Sequence, residues 1–227
     1  MLFTLQSNRL TAVDYLPLNV GLNGSVPDDQ GTTFFNAQAN FNLPNIFPND
    51  KNANFSNASY TTNARAAYVT LQAGANRIQT IYKDWTVKLH ADGQWADGAL
   101  FSNEQYAMGG TAGVRGYQDG QAYGDTGWRF SIEPQTPLFN LGMIGNEGHQ
   151  ETCWVRASVF LDYGRIYLLE QPPPGGSGHQ SFCGAGWAMT ANIGSHMDGR
   201  LTVGWPLIGH EGESGSMHFY FGIGAQF

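Results

Sequence analysis

The sequence predicts an all-β protein, a transmembrane antiparallel β-barrel, and three observations predict it. Long stretches alternate strictly between apolar and polar residues. Charged residues make up only 13% of the 227 residues. The chain closes on one more alternating stretch, which ends on the aromatic Phe227. Successive side chains of a strand point to opposite faces, so strict alternation gives one apolar face and one polar face. Soluble domains carry about 25% charged residues; here Asn, Gln, Ser and Thr take their place. With 30 glycines, 13% aromatics and a mean hydropathy of −0.30, the composition suits a membrane barrel. Composition alone also suits a secreted β-sandwich.

About ten strands are expected, near 13–24, 32–43, 64–78, 84–96, 102–108, 126–136, 152–163, 182–193, 199–206 and 217–227. In the first, Leu16, Leu18, Val20 and Leu22 alternate with Pro17, Asn19, Gly21 and Asn23. In the second, Phe35, Ala37, Ala39, Phe41 and Leu43 alternate with Asn36, Gln38, Asn40 and Asn42. In the third, Val69, Leu71, Ala73 and Ala75 alternate with Thr70, Gln72, Gly74 and Asn76. From Trp85 to Trp95 the odd positions are apolar or small, and the even ones are Thr86, Lys88, His90, Asp92 and Gln94. At roughly 3.3 Å per residue this strand is long enough to cross a membrane at a tilt. A tryptophan at each end of its apolar face fits two interfacial aromatic girdles.

The later strands repeat the pattern. Cys153, Val155, Ala157, Val159 and Leu161 alternate with Trp154, Arg156, Ser158, Phe160 and Asp162. Cys183, Ala185, Trp187, Met189, Ala191 and Ile193 alternate with Gly184, Gly186, Ala188, Thr190 and Asn192. At the end, Phe219, Phe221, Ile223, Ala225 and Phe227 share one face, opposite His218, Tyr220, Gly222, Gly224 and Gln226. A terminal strand of this kind resembles the C-terminal assembly signal of bacterial outer-membrane proteins. The polar faces hold almost no hydrophobes, which favours a membrane wall over a final core strand of a sandwich.

Other classes are excluded or find no support. A net charge of −7 without a basic cluster argues against nucleic acid. No stretch approaches the ~20 apolar residues of a membrane helix. Met1 is not followed by a basic segment and a long apolar run, so no signal peptide is read, and the chain is expected to be partial. The six histidines and two cysteines make no zinc spacing. No nucleophile elbow, phosphate loop or calcium loop is present, so neither an enzyme nor a cofactor is expected. Cys153 and Cys183 lie on the apolar face at opposite edges of the expected wall, too far apart for a disulfide.

The most informative stretch runs from Met108 to Tyr117, Met-Gly-Gly-Thr-Ala-Gly-Val-Arg-Gly-Tyr. Glycine density lets its backbone turn tightly, and it carries one cation, Arg115. With Gly109, Gly110, Val114, Arg115, Gly116 and Tyr117, it resembles the inward-folded loop of the BamA/TpsB superfamily. The following Gly124-Asp125-Thr126-Gly127-Trp128, the preceding Ser102-Asn103-Glu104-Gln105-Tyr106 and the later Phe160-Leu161-Asp162-Tyr163-Gly164 resemble the TpsB branch. Those are the transporters of two-partner secretion, typified by the haemolysin activators of the ShlB/FhaC type.

The resemblance implies an outer-membrane barrel of a Gram-negative bacterium, of which 1–227 is the C-terminal portion, about ten of sixteen strands. Signal peptide and POTRA modules lie outside it. It implies translocation of an unfolded exoprotein cargo, with outer-membrane lipid and the barrel assembly machinery as further partners. It also implies that Arg115 reaches into the lumen and pairs with Asp162. Independently, Asp162 sits on a polar face in a narrow lumen, where an uncompensated carboxylate is disfavoured. Arginine offers a fork that binds carboxylate in two places. Glu133, on the polar face with Arg129 and Ser131, is a second candidate partner. A BamA-like assembly factor and a passive porin-like barrel are the alternatives.

Parity sets an expected topology. With the arginine loop outside, the C-terminus is periplasmic, the segments 164–181 and 206–216 are outside, and 194–198 is a periplasmic turn. One segment conflicts. The long Asn-rich stretch 43–63 counts as periplasmic, which means either an unusual turn or a strand missed or invented nearby.

Overall fold

The computed structural model describes residues 13–145, 150–172, 174, 176–209 and 216–225. Its strands are β1 (Pro17–Asp28), β2 (Gly31–Asn42), β3 (Val69–Tyr82), β4 (Trp85–Ala96), β5 (Tyr106–Met108), β6 (Ala122–Gly124), β7 (Thr126–Gln135), β8 (Phe139–Ile144), β9 (Glu151–Tyr167), β10 (His179–Ile193), β11 (Met197–Pro206) and β12 (His218–Ala225). One short helix, α1 (Asn52–Asn57), lies between β2 and β3. The sheet is antiparallel and runs in the order β1-β2-β3-β4-β7-β9-β10-β11-β12, with β8 paired to β9. Chain neighbours are sheet neighbours throughout, the order of an up-and-down barrel wall. The sheet ends on β1 and β12, so the described residues form an open barrel.

Burial is inverted relative to a sandwich. The apolar positions of the alternation face outward and are exposed: Val20 70%, Leu22 62%, Trp95 51%, Val159 58% and Phe221 72%. The two tryptophans of β4, Trp85 and Trp95, both lie on that surface. The polar positions line the concave side. No second sheet covers the apolar side among the described residues, and the buried hydrophobics gather in two small clusters at one end.

All short turns lie at one end of the wall and all long connections at the other. Two-residue turns join β1 to β2 and β3 to β4, and a three-residue turn joins β10 to β11. Asp28 shapes the first by accepting from Gln30 N at 2.9 Å. Lys83, at φ 50°, supplies the left-handed residue that a tight hairpin demands. The opposite end carries the connections 43–68, 97–125, 168–178 and 207–217.

This arrangement corrects two expectations. The segment 102–108 is not a wall strand. Only Tyr106–Met108 is extended, and it pairs with β6 in a separate two-stranded ribbon within the long connection. Removing that strand moves 43–63 to the same end as the arginine loop, and the parity conflict disappears. The strand expected at 126–136 continues past its predicted end. β7 pairs with the C-terminal half of β9 and β8 with the N-terminal half, so the two are one crossing broken at Thr136-Pro137-Leu138. Nine wall strands result instead of ten.

The long-connection end holds the two clusters. Phe55, Ala66, Tyr68, Ala96, Leu100 and Phe101 pack together, with Tyr15 edge-on to Phe101 at 4.9 Å. Met108, Val114, Tyr117, Ile166 and Phe182 form the second cluster, with Tyr117 edge-on to Phe182 at 5.1 Å. The first roofs the β3–β4 edge. The second packs the ribbon and its loop against β9 and β10. Cys153 and Cys183 are both free.

Candidate functional site

The loop between β5 and β6 folds back into the concave side and lays its backbone on β10 and β11. It fits because those strands present glycines there. A Cβ at Gly184 would sit on the Arg115 carbonyl oxygen, and one at Gly204 would lie 2.7 Å from Gly116 N. Gly116 itself has φ 101°, with the Trp205 backbone behind it, so a side chain is strained there twice over. Gly109 and Gly110, with φ 97° and 82°, turn the chain into the loop.

Seated this way, Arg115 is 7% exposed and all three nitrogens of its guanidinium donate hydrogen bonds. Nε donates to Asp162 Oδ2 at 2.7 Å and Nη2 to Asp162 Oδ1 at 2.8 Å, a two-point clasp. Nη1 donates to Glu133 Oε2 at 2.6 Å, and Nη2 also donates to Ser131 Oγ at 3.1 Å. The Arg115 backbone N donates to the same Asp162 carboxylate at 3.0 Å. The guanidinium carbon lies 3.5 Å from the Phe160 ring centroid.

Strand register explains the convergence. Ser131 on β7, Asp162 on β9 and Gly184 on β10 sit side by side, so the carboxylate lies next to the gap that admits the loop. Ser131 Oγ donates to Asp162 Oδ1 at 2.6 Å, and Ser158 Oγ to Glu133 Oε1 at 2.9 Å. Arg200 Nη2 lies 3.3 Å from Glu133 Oε2, so two cations face two carboxylates. Burying ions is costly unless geometry and hydrogen bonding compensate, and here both carboxylates and the guanidinium are closely bonded.

The loop is also held by neutral groups. Tyr117 Oη lies 2.8 Å from the Ile208 carbonyl and 2.9 Å from the Cys183 carbonyl, one of which takes its proton, and it accepts from Cys183 N at 3.2 Å and Ile208 N at 3.3 Å. Tyr220, on the polar face of β12, also reaches the loop. A second ionic node lies on β4 and β7. Asp92 accepts from Arg129 Nε and from the Tyr106 hydroxyl, each at 2.5 Å, and pairs with His90 Nε2 at the same distance. Through Tyr106 it fixes the ribbon that carries the loop. Asp92 and Arg129 are direct cross-strand partners on the polar face, and only the Tyr106 contact depends on the ribbon, which local pattern does not reveal.

The Gly124-Asp125-Thr126-Gly127-Trp128 run divides its work. Trp128 points outward and is exposed, while Gly127 leaves room for Tyr106. Asp125 is fully buried and ties three long connections together. It accepts from Tyr60 Oη at 2.6 Å, Leu100 N at 2.9 Å, Gln105 Nε2 at 3.1 Å and Leu169 N at 2.9 Å. Burial raises the Tyr60 phenol above its usual range, and its bond to Asp125 adds to this. Burial and the nearby Glu104 push Tyr15 up to about 12. Burial also raises the Glu104 carboxyl. Of the terminal signal, Phe219, Phe221 and Ile223 face outward on β12 and are exposed; Phe227 lies outside the described residues. Among those residues no group of three or more ligating side chains gathers to hold a metal.

Comparison with known proteins places the chain in context. The family model for the haemolysin secretion/activation protein ShlB/FhaC/HecB matches residues 4–190. The outer membrane transporter CdiB of Escherichia coli is 31% identical over 124 residues, covering 55% of this chain and 19% of that protein. The heme/hemopexin transporter protein HuxB of Haemophilus influenzae strain 86-028NP is 29% identical over 153 residues, covering 65% of this chain and 24% of that protein. The solved structure of CdiB from Escherichia coli superposes with a TM-score of 0.76 at 19% identity, over 96% of this chain and 38% of that one. The chain thus spans about a fifth to a quarter of the length of these curated relatives.

Proposed function

Because the chain belongs to the ShlB/FhaC/HecB haemolysin secretion/activation family, we propose that it forms part of an outer-membrane pore that passes an unfolded exoprotein out of a Gram-negative cell. The arginine loop is the latch that holds the resting pore in one state. The single observation that carries this reading is the clasp of Arg115 on Asp162 and Glu133, inside a wall whose other side is apolar and exposed.

The physical case is direct. A wall with hydrocarbon on one side and water on the other suits a membrane barrel, since closed strands leave no unpaired backbone in lipid. CdiB is named an outer membrane transporter, and HuxB a transporter protein. The matching family is one of secretion and activation proteins, and the work proposed for this chain is the passage of a polypeptide. A cargo moving through the lumen has to displace the loop or go past it. The loop's charged tip is held by ionic and hydrogen bonds, which exchange with water more readily than a packed apolar core does.

Secretion by an Arg115→Ala variant tests the reading. We expect the variant to assemble, to keep the heat-modifiable gel mobility of a folded barrel, and to lose most export of its exoprotein. Normal export alongside normal assembly would remove the latch role.

A further inference from the structure

The concave wall is divided into two unlike halves. Charged side chains on it belong to β4, β7, β9 and β11: Lys88, Asp92, Arg129, Glu133, Asp162 and Arg200 among them. The concave faces of β1, β2 and β3 carry none. The two charged residues of those strands, Asp28 and Arg77, lie on the outward phase at the short-turn end and pair with each other at 2.8 Å. The arginine loop lies on the ionic half, against β7 and β9 to β12.

The neutral half is built from amides in register. Gln38, Gln72 and Gln94 stand directly opposite one another on β2, β3 and β4. Gln38 Nε2 donates to Gln72 Oε1 at 2.7 Å, and Gln72 Nε2 to Gln94 Oε1 at 2.6 Å. Gln94, at the inner end, donates to the carbonyls of Glu104 at 2.9 Å and Asp125 at 3.1 Å, which anchors the ladder to the capping loops. At the other end Gln38 is exposed, as are Asn19, Asn23 and Asn36 around it.

We infer that this amide face is the track along which an extended, unfolded polypeptide makes contact during passage. The inference rests on the polypeptide-pore reading and deepens it. A side-chain amide both donates and accepts, so it meets a backbone N–H or C=O in either chain direction. Neutral hydrogen bonds exchanged with water are individually weak, so a chain on them slides rather than sticks. The absence of charge removes discrimination between acidic and basic cargo segments. The ionic half would hold such segments by their side chains.

Single-channel recording from the full-length protein in planar bilayers tests this, with an unfolded peptide of Gly, Ser and Asn as the probe. The pore variants are wild type and the latch-released Arg115→Ala. Peptide blockades are expected to shorten about tenfold in a Gln38→Leu/Gln72→Leu variant, the loss of two neutral hydrogen bonds. Dwell times should return in Gln38→Asn/Gln72→Asn and stay unchanged in Lys88→Gln. A second arm does not depend on the leucine variant folding. A photoreactive side chain at Asn36 should capture the peptide, and one at Lys88 should not. Equal dwell times in the leucine variant, or capture only at Lys88, overturn the track. Blockade by maltohexaose but not by peptide overturns it as well and assigns the face to sugars. Failure of the peptide to enter either pore sinks the polypeptide-pore reading itself.

Discussion

The hydroxyl of Tyr220 donates to the carbonyl of Tyr117 at 2.6 Å while accepting from Gly116 N at 3.0 Å. One side chain on β12 thus holds both ends of the Gly116-Tyr117 pair that follows Arg115. Tyr220→Phe keeps the ring and removes both bonds. We expect the loss of about 1–3 kcal/mol of local stability, the cost of leaving the Gly116 N–H unpaired, while the Tyr117 carbonyl keeps its bond from Gly110 N. Amide hydrogen exchange at Gly116 should then speed up while exchange in β9 and β10 stays slow. Unchanged exchange at Gly116 would show that Tyr220 does not hold the turn.

The two carboxylates around Arg115 are not equivalent. Asp162 takes three of its hydrogen bonds, including the backbone one, and its side chain is 2% exposed. Glu133 takes one, and shares itself with Arg200, whose side chain is 42% exposed and readily solvated. Asp162→Asn is therefore expected to cost more than Glu133→Gln, toward the 3–5 kcal/mol of a broken buried pair. Guanidinium unfolding in detergent measures the order. Arg115→Lys should fall beside Asp162→Asn, because a lysine ammonium has no fork to span the carboxylate. Equal midpoints for the two acid variants would contradict this ranking.

The glycine trough offers a way to unseat the loop without touching a charge. A methyl at Gly184 meets the Arg115 carbonyl, which belongs to backbone that has no rotamer to escape into. Gly184→Ala is expected to raise resting conductance and impair export much as Arg115→Ala does. Gly222→Ala, where an added Cβ meets nothing within 4 Å, serves as the control. Conductance that rises equally in both variants would deny the trough its role.

Much of the wall could be read from alternation because every side chain on it faces one of two solvents. β1 to β4 and β9 to β12 follow that rule over most of their length, with one register shift in β3 between Thr80 and Tyr82. β7 and β8 do not. Three residues, Thr136 to Leu138, oppose two on β9, and a second register shift falls between Asn140 and Gly142. Each extra residue reverses the phase, so the apolar pattern breaks although the strand goes on. Thr136 bridges the first gap, donating from N to the Ala157 carbonyl at 2.9 Å and accepting from Ala157 N at 3.1 Å. The ribbon failed to show for the opposite reason. Residues 102–108 look extended, but their partners are 122–124, within the same connection. At the site, Arg115, Asp162 and Glu133 stood out as charges in a charge-poor chain. Asp125 is legible only as a motif residue; the roles of Tyr220, Ser131 and Asp125 come from register and loop closure.

The capping end should respond to alkali. Tyr15 donates to Glu104 Oε1 at 3.0 Å and Tyr60 to Asp125 Oδ2 at 2.6 Å, so each phenol must keep its proton for the cap to hold. Both phenols are raised above their unfolded value of about 10, Tyr15 to about 12, chiefly by burial. A raised folded value means the native state holds the proton more tightly than the unfolded one. Stability from these groups is therefore complete below pH about 10 and is lost as pH climbs toward 12. Glu104, also raised by burial, works in the same direction at lower pH: its contribution declines as pH rises above the ordinary carboxylate range. Phenolate absorbance and protease cutting within 43–68 should rise together in the alkaline window, while the barrel keeps its heat-modifiable mobility. Tyr60→Phe should make that loop susceptible already at neutral pH. Cutting that stays flat through the phenolate transition would mean the cap is held by its Phe55–Phe101 packing alone.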